Sequence, residues 1–283
     1  MAESMLLLVS VFWGASYGLA KTAVAFYPVL GFLAIRFCIT SFLLTPSWNE
    51  AARKQSFQSL KIGIPLGIIL LSIFIAETYG LSLTLASNAA FLISLCVVFT
   101  PFVEWLMLKK RPGIAAFSAA MISLAEAWML TSGVSFSSFN RGDSLILVAA
   151  ILRAFMVTLT NKLTRDKNIP SLLLTSIQTG VVGLGCLSLG LIILPEGLPA
   201  LPAAAQFWYA TIFLIVFCTL FAFFAQNYAL GQVSPTRVSL LMGSEPVFGA
   251  LFAVFWLNES ITPSGWLGGS MIVCASLWAA LKR

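Results

Sequence analysis

Charged side chains inside long apolar segments are the residues of this chain with the most scope for chemistry. Glu245 directly precedes Pro246, whose ring cannot complete a helical hydrogen-bond ladder and leaves a carbonyl free. A carboxylate and free carbonyls beside a kink suit an ammonium group or a proton. Arg153 and Arg36 lie in two further apolar segments. Because a charge at the centre of a bilayer costs about 2.5–3.5 kcal/mol on insertion scales, each of the three needs a partner or a ligand.

Two roles are open for each of these charges. Glu245 either takes part in ligand and proton binding or forms an ion pair with Arg153 or Arg36. The guanidinium fork of Arg153 either binds a ligand carboxylate with two hydrogen bonds or belongs to a structural pair. For both arginines the sequence favours the structural role.

Aromatic and polar residues recur at helical spacing near these charges. Trp13 and Tyr17 lie four residues apart on one face of the first apolar segment, and Asn88 and Phe91 share a face of the fourth. A buried indole N–H needs an acceptor, which favours a cavity wall for Trp13. The alternative is helix packing, in which small and polar residues are enriched. The predicted binding residues are Trp13, Tyr17, Tyr79, Asn88, Phe91, Arg153, Asn227, Ser244 and Glu245, and the predicted hinges are Pro101 and Pro246.

The composition places these residues in a membrane. Of 283 residues, 59% are apolar and only 9% are charged, whereas a soluble domain is about 25% charged. The chain has no histidine and no phosphate-binding GxxxxGK[ST] loop, and its five cysteines are never spaced as CxxC. ATP hydrolysis, a histidine-based site and a cysteine metal site are therefore not expected, and neither is a cofactor.

Apolar runs separated by charges, proline or glycine predict an all-α integral membrane protein with ten transmembrane helices. The predicted spans are 4–27, 29–46, 61–82, 85–108, 112–132, 143–163, 170–194, 205–229, 234–257 and 262–281.

Lysine and arginine are distributed unequally between the two sides that ten spans would create. One side, with both termini, holds twelve of them, and the other holds only Lys21 and Arg141. By the positive-inside rule, both termini are predicted to be cytoplasmic. The net charge of +6 is explained by this topology, so a nucleic-acid partner is not expected.

The chain also contains an internal sequence repeat. At an offset of 149 residues, 77–111 lies over 226–260 without a gap, and Pro28 pairs with Pro170 nearer the start. The predicted units are 1–133 and 141–283, each with five spans. Five is odd, so the second unit enters the membrane from the opposite face, an architecture typical of secondary transporters. In this register Pro101 lies one helical turn later than Pro246, so the two halves need not bend at equal depth.

Four short motifs resemble the ten-helix EamA-type members of the drug/metabolite transporter superfamily. They are residues 12–17 with Lys21, residues 33–37, residues 245–248 and residues 257–260. The resemblance implies two inverted five-helix bundles around a cavity lined mainly by spans 1, 3, 4, 6, 8 and 9. It also implies export of amino acids, other metabolites or cationic toxicants, and this chain is similar to the amino-acid exporters.

The leading hypothesis is a secondary transporter in the bacterial cytoplasmic membrane that exports small metabolites, above all amino acids including aromatic ones, by alternating access. It would work as a monomer, with a proton as a further candidate ligand of Glu245. One alternative is an intramembrane lipid-group transferase, although the loops offer only isolated carboxylates: Asp143, Asp166 and Glu196. Another is a channel, whose continuous polar lining the aromatic stripes disfavour.

Overall fold

A computed structural model of the chain describes residues 2–49, 56–84, 86–109, 121, 140–165, 167, 169–195, 197–257 and 263. Within these ranges the regular structure is entirely helical, as predicted. Predicted spans 5 and 10 lie outside the described residues, apart from the single positions 121 and 263.

Ten helices are described. They are α1 (Ala2–Phe26), α2 (Val29–Leu43), α3 (Ser56–Leu83), α4 (Ala86–Ser94), α5 (Cys96–Leu108), α6 (Arg141–Thr164), α7 (Ser171–Ile193), α8 (Ala205–Leu230), α9 (Pro235–Met242) and α10 (Glu245–Leu257). A 3-10 turn (Thr45–Ser47) follows α2, and α8 contains a π-helical stretch over Leu214–Phe221. In length and composition α1, α3, α6, α7 and α8 can each cross a membrane.

Proline and asparagine mark three helix starts. Pro28 and Pro170 occupy the positions immediately before α2 and α7, where a missing N–H removes no helical hydrogen bond. Asn140 and Asp143 form a capping box at the start of α6, in which each side chain accepts a hydrogen bond from the other residue's backbone N–H. The boundaries of these helices therefore follow from local sequence.

Predicted spans 4 and 9 are each split into two helices. The first split falls at Leu95, between α4 and α5, and the second at Gly243 and Ser244, between α9 and α10. In the 149-residue register Leu95 lies over Ser244, so the two splits occupy equivalent positions. The prolines do not share this equivalence: Pro246 is the second residue of α10, whereas Pro101 lies inside α5.

Contacts at the two ends of the bundle set the directions of the helices. At one end Glu3 of α1 pairs with Arg237 of α9 at 2.5 Å, and the Lys162 Nζ at the end of α6 donates a hydrogen bond to the Met107 carbonyl of α5. We call this the basic end. The starts of α1 and α9 therefore lie beside the ends of α5 and α6.

At the opposite end of the bundle, the last residues of α1 and α3 lie beside the first residues of α6. Lys21 Nζ donates to the Thr84 carbonyl at 2.7 Å, and Thr84 Oγ1 donates to Asp143 at 2.6 Å. Consequently α1 and α6, the first helices of the two predicted units, run in opposite directions. Between the ends, α3 packs along α6, α8 along α1, and α2 along α7.

Gly14 allows α1 and α10 to approach closely. A Cβ atom on Gly14 would lie 2.6 Å from the Gly249 nitrogen, 2.7 Å from the Phe248 Cβ and 2.8 Å from the Glu245 carbonyl oxygen. Two of these atoms are backbone and cannot rotate away. Close backbone approach at glycine is a common basis of helix association in membranes.

Replacing Gly14 with alanine should therefore force α1 away from α10. Overpacking of this kind typically costs about 1–3 kcal/mol, so we expect the midpoint of thermal unfolding in detergent to fall by about 2 °C or more. The matched control is Gly231→Ala, because the nearest atom to an added Cβ there is 3.5 Å away. Equal midpoints for the two variants would contradict the close contact.

Candidate functional site

An ion pair lies at the centre of the bundle. Arg153 Nη2 of α6 is 3.1 Å from Glu245 Oε2 of α10, and both side chains are about nine-tenths buried. The Tyr17 hydroxyl of α1 donates a hydrogen bond to the other oxygen, Glu245 Oε1. Both carboxylate oxygens therefore have donors, and the pairing of Glu245 with Arg153 is the one that the structure contains.

The local structure around Glu245 explains why a carboxylate is stable there. Glu245 is the first residue of α10, where unpaired N–H groups and the helix dipole favour negative charge. Pro246 follows at a position that has no helical N–H bond to lose. The glycine contact at Gly14 brings α1 close enough for Tyr17, one turn further along, to reach the carboxylate.

Trp13 connects the ion pair to α8. Its Nε1 donates to the Cys218 carbonyl at 2.9 Å, which supplies the acceptor that a buried indole needs. The indole ring lies 4.2 Å from the Arg153 guanidinium carbon, a cation–π distance. Trp13 thus contacts both Arg153 and α8.

Arg36 is held by the π-helical stretch of α8. Its Nε donates to Thr219 Oγ1 at 2.7 Å, and its Nη2 is 3.5 Å from the Cys218 carbonyl. The guanidinium carbon lies 5.2 Å from the Phe74 ring and 5.3 Å from the Phe37 ring. π-helical turns often mark functional sites, and this one anchors an arginine that lines the cavity described next.

A cavity lies between α1, α2, α3, α6, α8 and α10. The space open to the centres of water molecules is about 40 Å³, enough for a few waters. Its lining residues are Trp13, Ser16, Tyr17, Ala20, Arg36, Leu70, Ile73, Phe74, Glu77, Thr78, Leu81, Arg153, Met156, Phe223, Gln226 and Glu245. The wall therefore combines aromatic rings with four charged groups, and α2 contributes to it through Arg36.

A second, smaller cavity of about 10 Å³ lies on the other side of the ion pair. It is lined by Ser94, Cys96, Val97, Val157, Ser239, Met242 and Gly243, together with three residues that also line the first cavity. The shared residues are Arg153, Gln226 and Glu245. These three, which we call the central layer, separate the two cavities.

The structure brings four of the predicted binding residues together: Trp13, Tyr17, Arg153 and Glu245. It places Tyr79, Asn227 and Ser244 outside the walls of both cavities. Asn227 Nδ2 donates instead to Thr175 at 2.9 Å and to Gln178 at 2.7 Å, between α7 and α8. The side chains of Asn88 and Phe91 lie outside the described residues, although their backbones belong to α4.

Glu77 and Gln226 also line the first cavity and are not among the predicted binding residues. The repeat contains a signal for them, because the 149-residue offset places Glu77 over Gln226. Among the described residues, no cluster of three or more histidine, cysteine or acidic side chains could hold a metal ion.

A family model for EamA-like transporters matches residues 1–132 and again residues 140–281. The chain belongs to the EamA-like transporter family. This confirms the resemblance found in the sequence and makes the protein a multi-pass membrane transporter, not an enzyme.

Relatives and a solved structure agree with this assignment. An uncharacterized transporter of Archaeoglobus fulgidus is 25% identical over 99% of this chain and 86% of its own length. The uncharacterized inner membrane transporter YedA of Escherichia coli K12 is 26% identical over 96% of this chain and 88% of its own length. A crystal structure superposes with a TM-score of 0.75 at 16% identity, over 99% of this chain and 96% of the other, and shows a shared fold.

The central ion pair predicts non-additive effects of substitution on stability. Glu245→Gln leaves the Arg153 charge without its partner, and breaking a buried pair costs about 3–5 kcal/mol in soluble proteins. Arg153→Gln strands the carboxylate in the same way. We expect the double variant, which removes both charges, to have a higher thermal midpoint in detergent than either single variant.

Tyr17→Phe is the matched control, because it removes one neutral donor and keeps the ion pair; its cost should be about 1.5–3 kcal/mol, the range for a hydrogen bond to a charged group. If the double variant lost as much stability as the two single variants together, the coupling between Arg153 and Glu245 would be refuted.

Proposed function

We propose that this protein exports small metabolites with both polar and apolar parts, most of all amino acids including aromatic ones, across the bacterial cytoplasmic membrane. It does so as a secondary transporter by alternating access. The family assignment supports transport in general, and the cavity supports the substrate class and the mechanism.

The central layer is the observation that carries the mechanism. The first cavity extends from this layer toward the opposite end of the bundle, reaching Leu81 near the end of α3, while the second extends toward the basic end past Val157 and Ser239. A transporter needs one site that faces two sides in turn. Arg153, Gln226 and Glu245, which line both cavities, are placed to be that site.

Polar contacts close the basic end in this conformation. Thr100 of α5 and Ser239 of α9 are hydrogen-bonded at 2.9 Å, and Glu104 of α5 accepts hydrogen bonds from the Thr236 N–H at 3.0 Å and from its hydroxyl. Opening this side would separate α5 from α9. Of the proposed hinges, Pro246 lies two residues after the split of span 9 at Ser244, and Pro101 lies six residues after the split of span 4 at Leu95.

Two inverted five-helix halves, residues 1–133 and 141–283, complete the proposal. The opposite directions of α1 and α6 and the two family matches support it. The clustering of Arg237 and Lys162 at one end supports cytoplasmic termini, and the name of YedA supports the inner membrane. Because both halves are in one chain, a monomer suffices.

Aromatic rings in the first cavity support an amino-acid substrate. Trp13 and Tyr17, with Phe74 and Phe223, offer apolar faces beside charged groups. In the proposed cycle these rings take the apolar side chain of the substrate, and the central layer takes polar groups. Since only a few waters fit in this conformation, binding must widen the cavity.

Counterflow in proteoliposomes tests the proposal. Vesicles preloaded with one unlabelled amino acid or quaternary cation receive the same labelled solute outside, and we expect saturable uptake that the internal solute accelerates for amino acids. Protein-free vesicles are the control. Uptake that neither saturates nor accelerates would indicate a channel, and no flux of any solute would reject the transport proposal.

An imposed pH gradient in the same vesicles tests a proton role for Glu245. If Glu245 carries the coupling proton, flux in the natural protein follows the gradient and flux in Glu245→Gln does not. Flux that follows the gradient equally in both proteins excludes Glu245 as the carrier.

A further inference from the structure

Two charged side chains in the wall of the first cavity form no ion pair with any residue that the structure describes. Arg36 of α2 and Glu77 of α3 both line this cavity, and no ion pair within 4.0 Å joins them. The other two charges of the wall, Arg153 and Glu245, neutralise each other. The cavity therefore offers one positive and one negative group that lie within electrostatic range of each other but are engaged in no direct ion pair.

Glu77 is the more unusual of the two. It lies in the interior of α3, seven residues before Thr84, and accepts no hydrogen bond from any residue that the structure describes. A carboxylate at this depth is costly without a partner. It lies within electrostatic range of Arg36, Arg153 and Glu245, and it lines the cavity that a ligand would enter.

Arg36 is fixed in place but only partly satisfied. Thr219 accepts from Nε and the Cys218 carbonyl from Nη2, while Nη1 has no recorded partner among the described residues. Phe74 and Phe37 flank the guanidinium. A fork held along one edge with its other edge toward a cavity is suited to accepting a carboxylate.

The two groups lie at similar depth. Arg36 follows the first residue of α2 by seven positions and Glu77 precedes the last residue of α3 by six, so at 1.5 Å per residue they lie about 10.5 Å and 9 Å from helix ends on the same side. Arg153 follows the first residue of α6 by twelve positions, or about 18 Å. Arg36 and Glu77 thus lie farther from the basic end of the bundle than Arg153 of the central layer does.

The second half of the chain has amides where the first has these charges. In the repeat register Gln178 corresponds to Arg36 and Gln226 to Glu77. The structure buries both glutamines, at 0% and 4% exposure, so neutral side chains of this size are compatible with equivalent positions. The charges of the first half are therefore not a general packing requirement of the fold.

The geometry points to Arg36 and Glu77 as the two poles of a binding site for a zwitterion, with Arg36 binding its carboxylate and Glu77 its ammonium group. A ligand with a single charge could contact only one of the two poles directly, whereas a zwitterion can contact both. This inference rests on the proposed transport function and narrows its substrate class to molecules of the α-amino-acid type. Phe74, beside Arg36, adds an apolar face to the site.

Three probes that differ only in charge test the assignment: phenylalanine, phenethylamine, which lacks the carboxylate, and 3-phenylpropanoate, which lacks the ammonium group. Competition against labelled phenylalanine is measured with the full chain in proteoliposomes. We expect each single-charge probe to compete at least about ten-fold more weakly than phenylalanine, as expected for the loss of a charged hydrogen bond.

Glutamine variants then separate the two poles. Glu77→Gln should weaken phenylalanine binding about ten-fold or more and leave 3-phenylpropanoate nearly unchanged. Arg36→Gln should weaken phenylalanine and leave phenethylamine nearly unchanged. These substitutions copy residues already present in the second half, and Arg165→Gln serves as a control that removes a charge away from the cavity.

The outcomes distinguish this inference from the function on which it rests. Amino-acid counterflow with equal losses for all three probes in each variant would overturn the assignment of the poles and leave the transport proposal standing. Transport of a quaternary cation but not of a zwitterion would also overturn it. If a single variant does not fold, the double variant Arg36→Gln/Glu77→Gln keeps the cavity neutral; unchanged phenylalanine affinity in it would refute the site.

Discussion

The requirement that a charge buried in a membrane be compensated governs the centre of this structure. Glu245 is compensated by Arg153, by the Tyr17 hydroxyl and by its place at the start of α10. Each of these interactions requires a particular position of another helix. α6 must place Arg153 at the same depth as Glu245, and α1 must approach α10 so closely at Gly14 that no Cβ atom fits between them. The packing of three helices is thus tied to the neutralisation of one carboxylate.

The π-helical stretch of α8 supplies hydrogen-bond acceptors to residues that contact or neighbour the ion pair. The Cys218 carbonyl accepts from Trp13, whose ring flanks Arg153, and lies near Arg36. Thr219 in turn accepts from Arg36 and donates to the Leu214 carbonyl five residues earlier. One irregular stretch of helix therefore positions both arginines of the cavity, one directly and one through an indole. A regular α-helix has its carbonyls committed to the ladder and offers fewer acceptors.

Sequence predicted the elements that depend on composition and short spacing, including the helical class, the starts at Pro28 and Pro170, and the stripe that brings Trp13 and Tyr17 to one cavity. It did not predict the split at Leu95, because nothing in the local residues marks a break and tertiary packing decides it. Asn227 was predicted as a binding residue but lies outside both cavities. The period of a helix shows which residues share a face but does not show what that face contacts. Glu77 escaped selection because a single glutamate has no pattern; its importance comes from the three charges around it.

The balance of charge in the cavity bears on what can drive transport. Among the described lining residues, Arg36 and Arg153 offset Glu77 and Glu245, so the wall carries no net formal charge when all four are ionised. A zwitterion adds none, and its passage moves no net charge across the membrane, whereas a monovalent cation would move one, worth about 2.3 kcal/mol per 100 mV. With a zwitterion alone as cargo, the membrane potential supplies no work and the concentration gradient of the substrate sets the direction of net flux. A cavity with one positive and one negative group suits such an electroneutral cargo. Each group binds the opposite charge of the ligand, and the bound ligand adds no net charge beside the central ion pair.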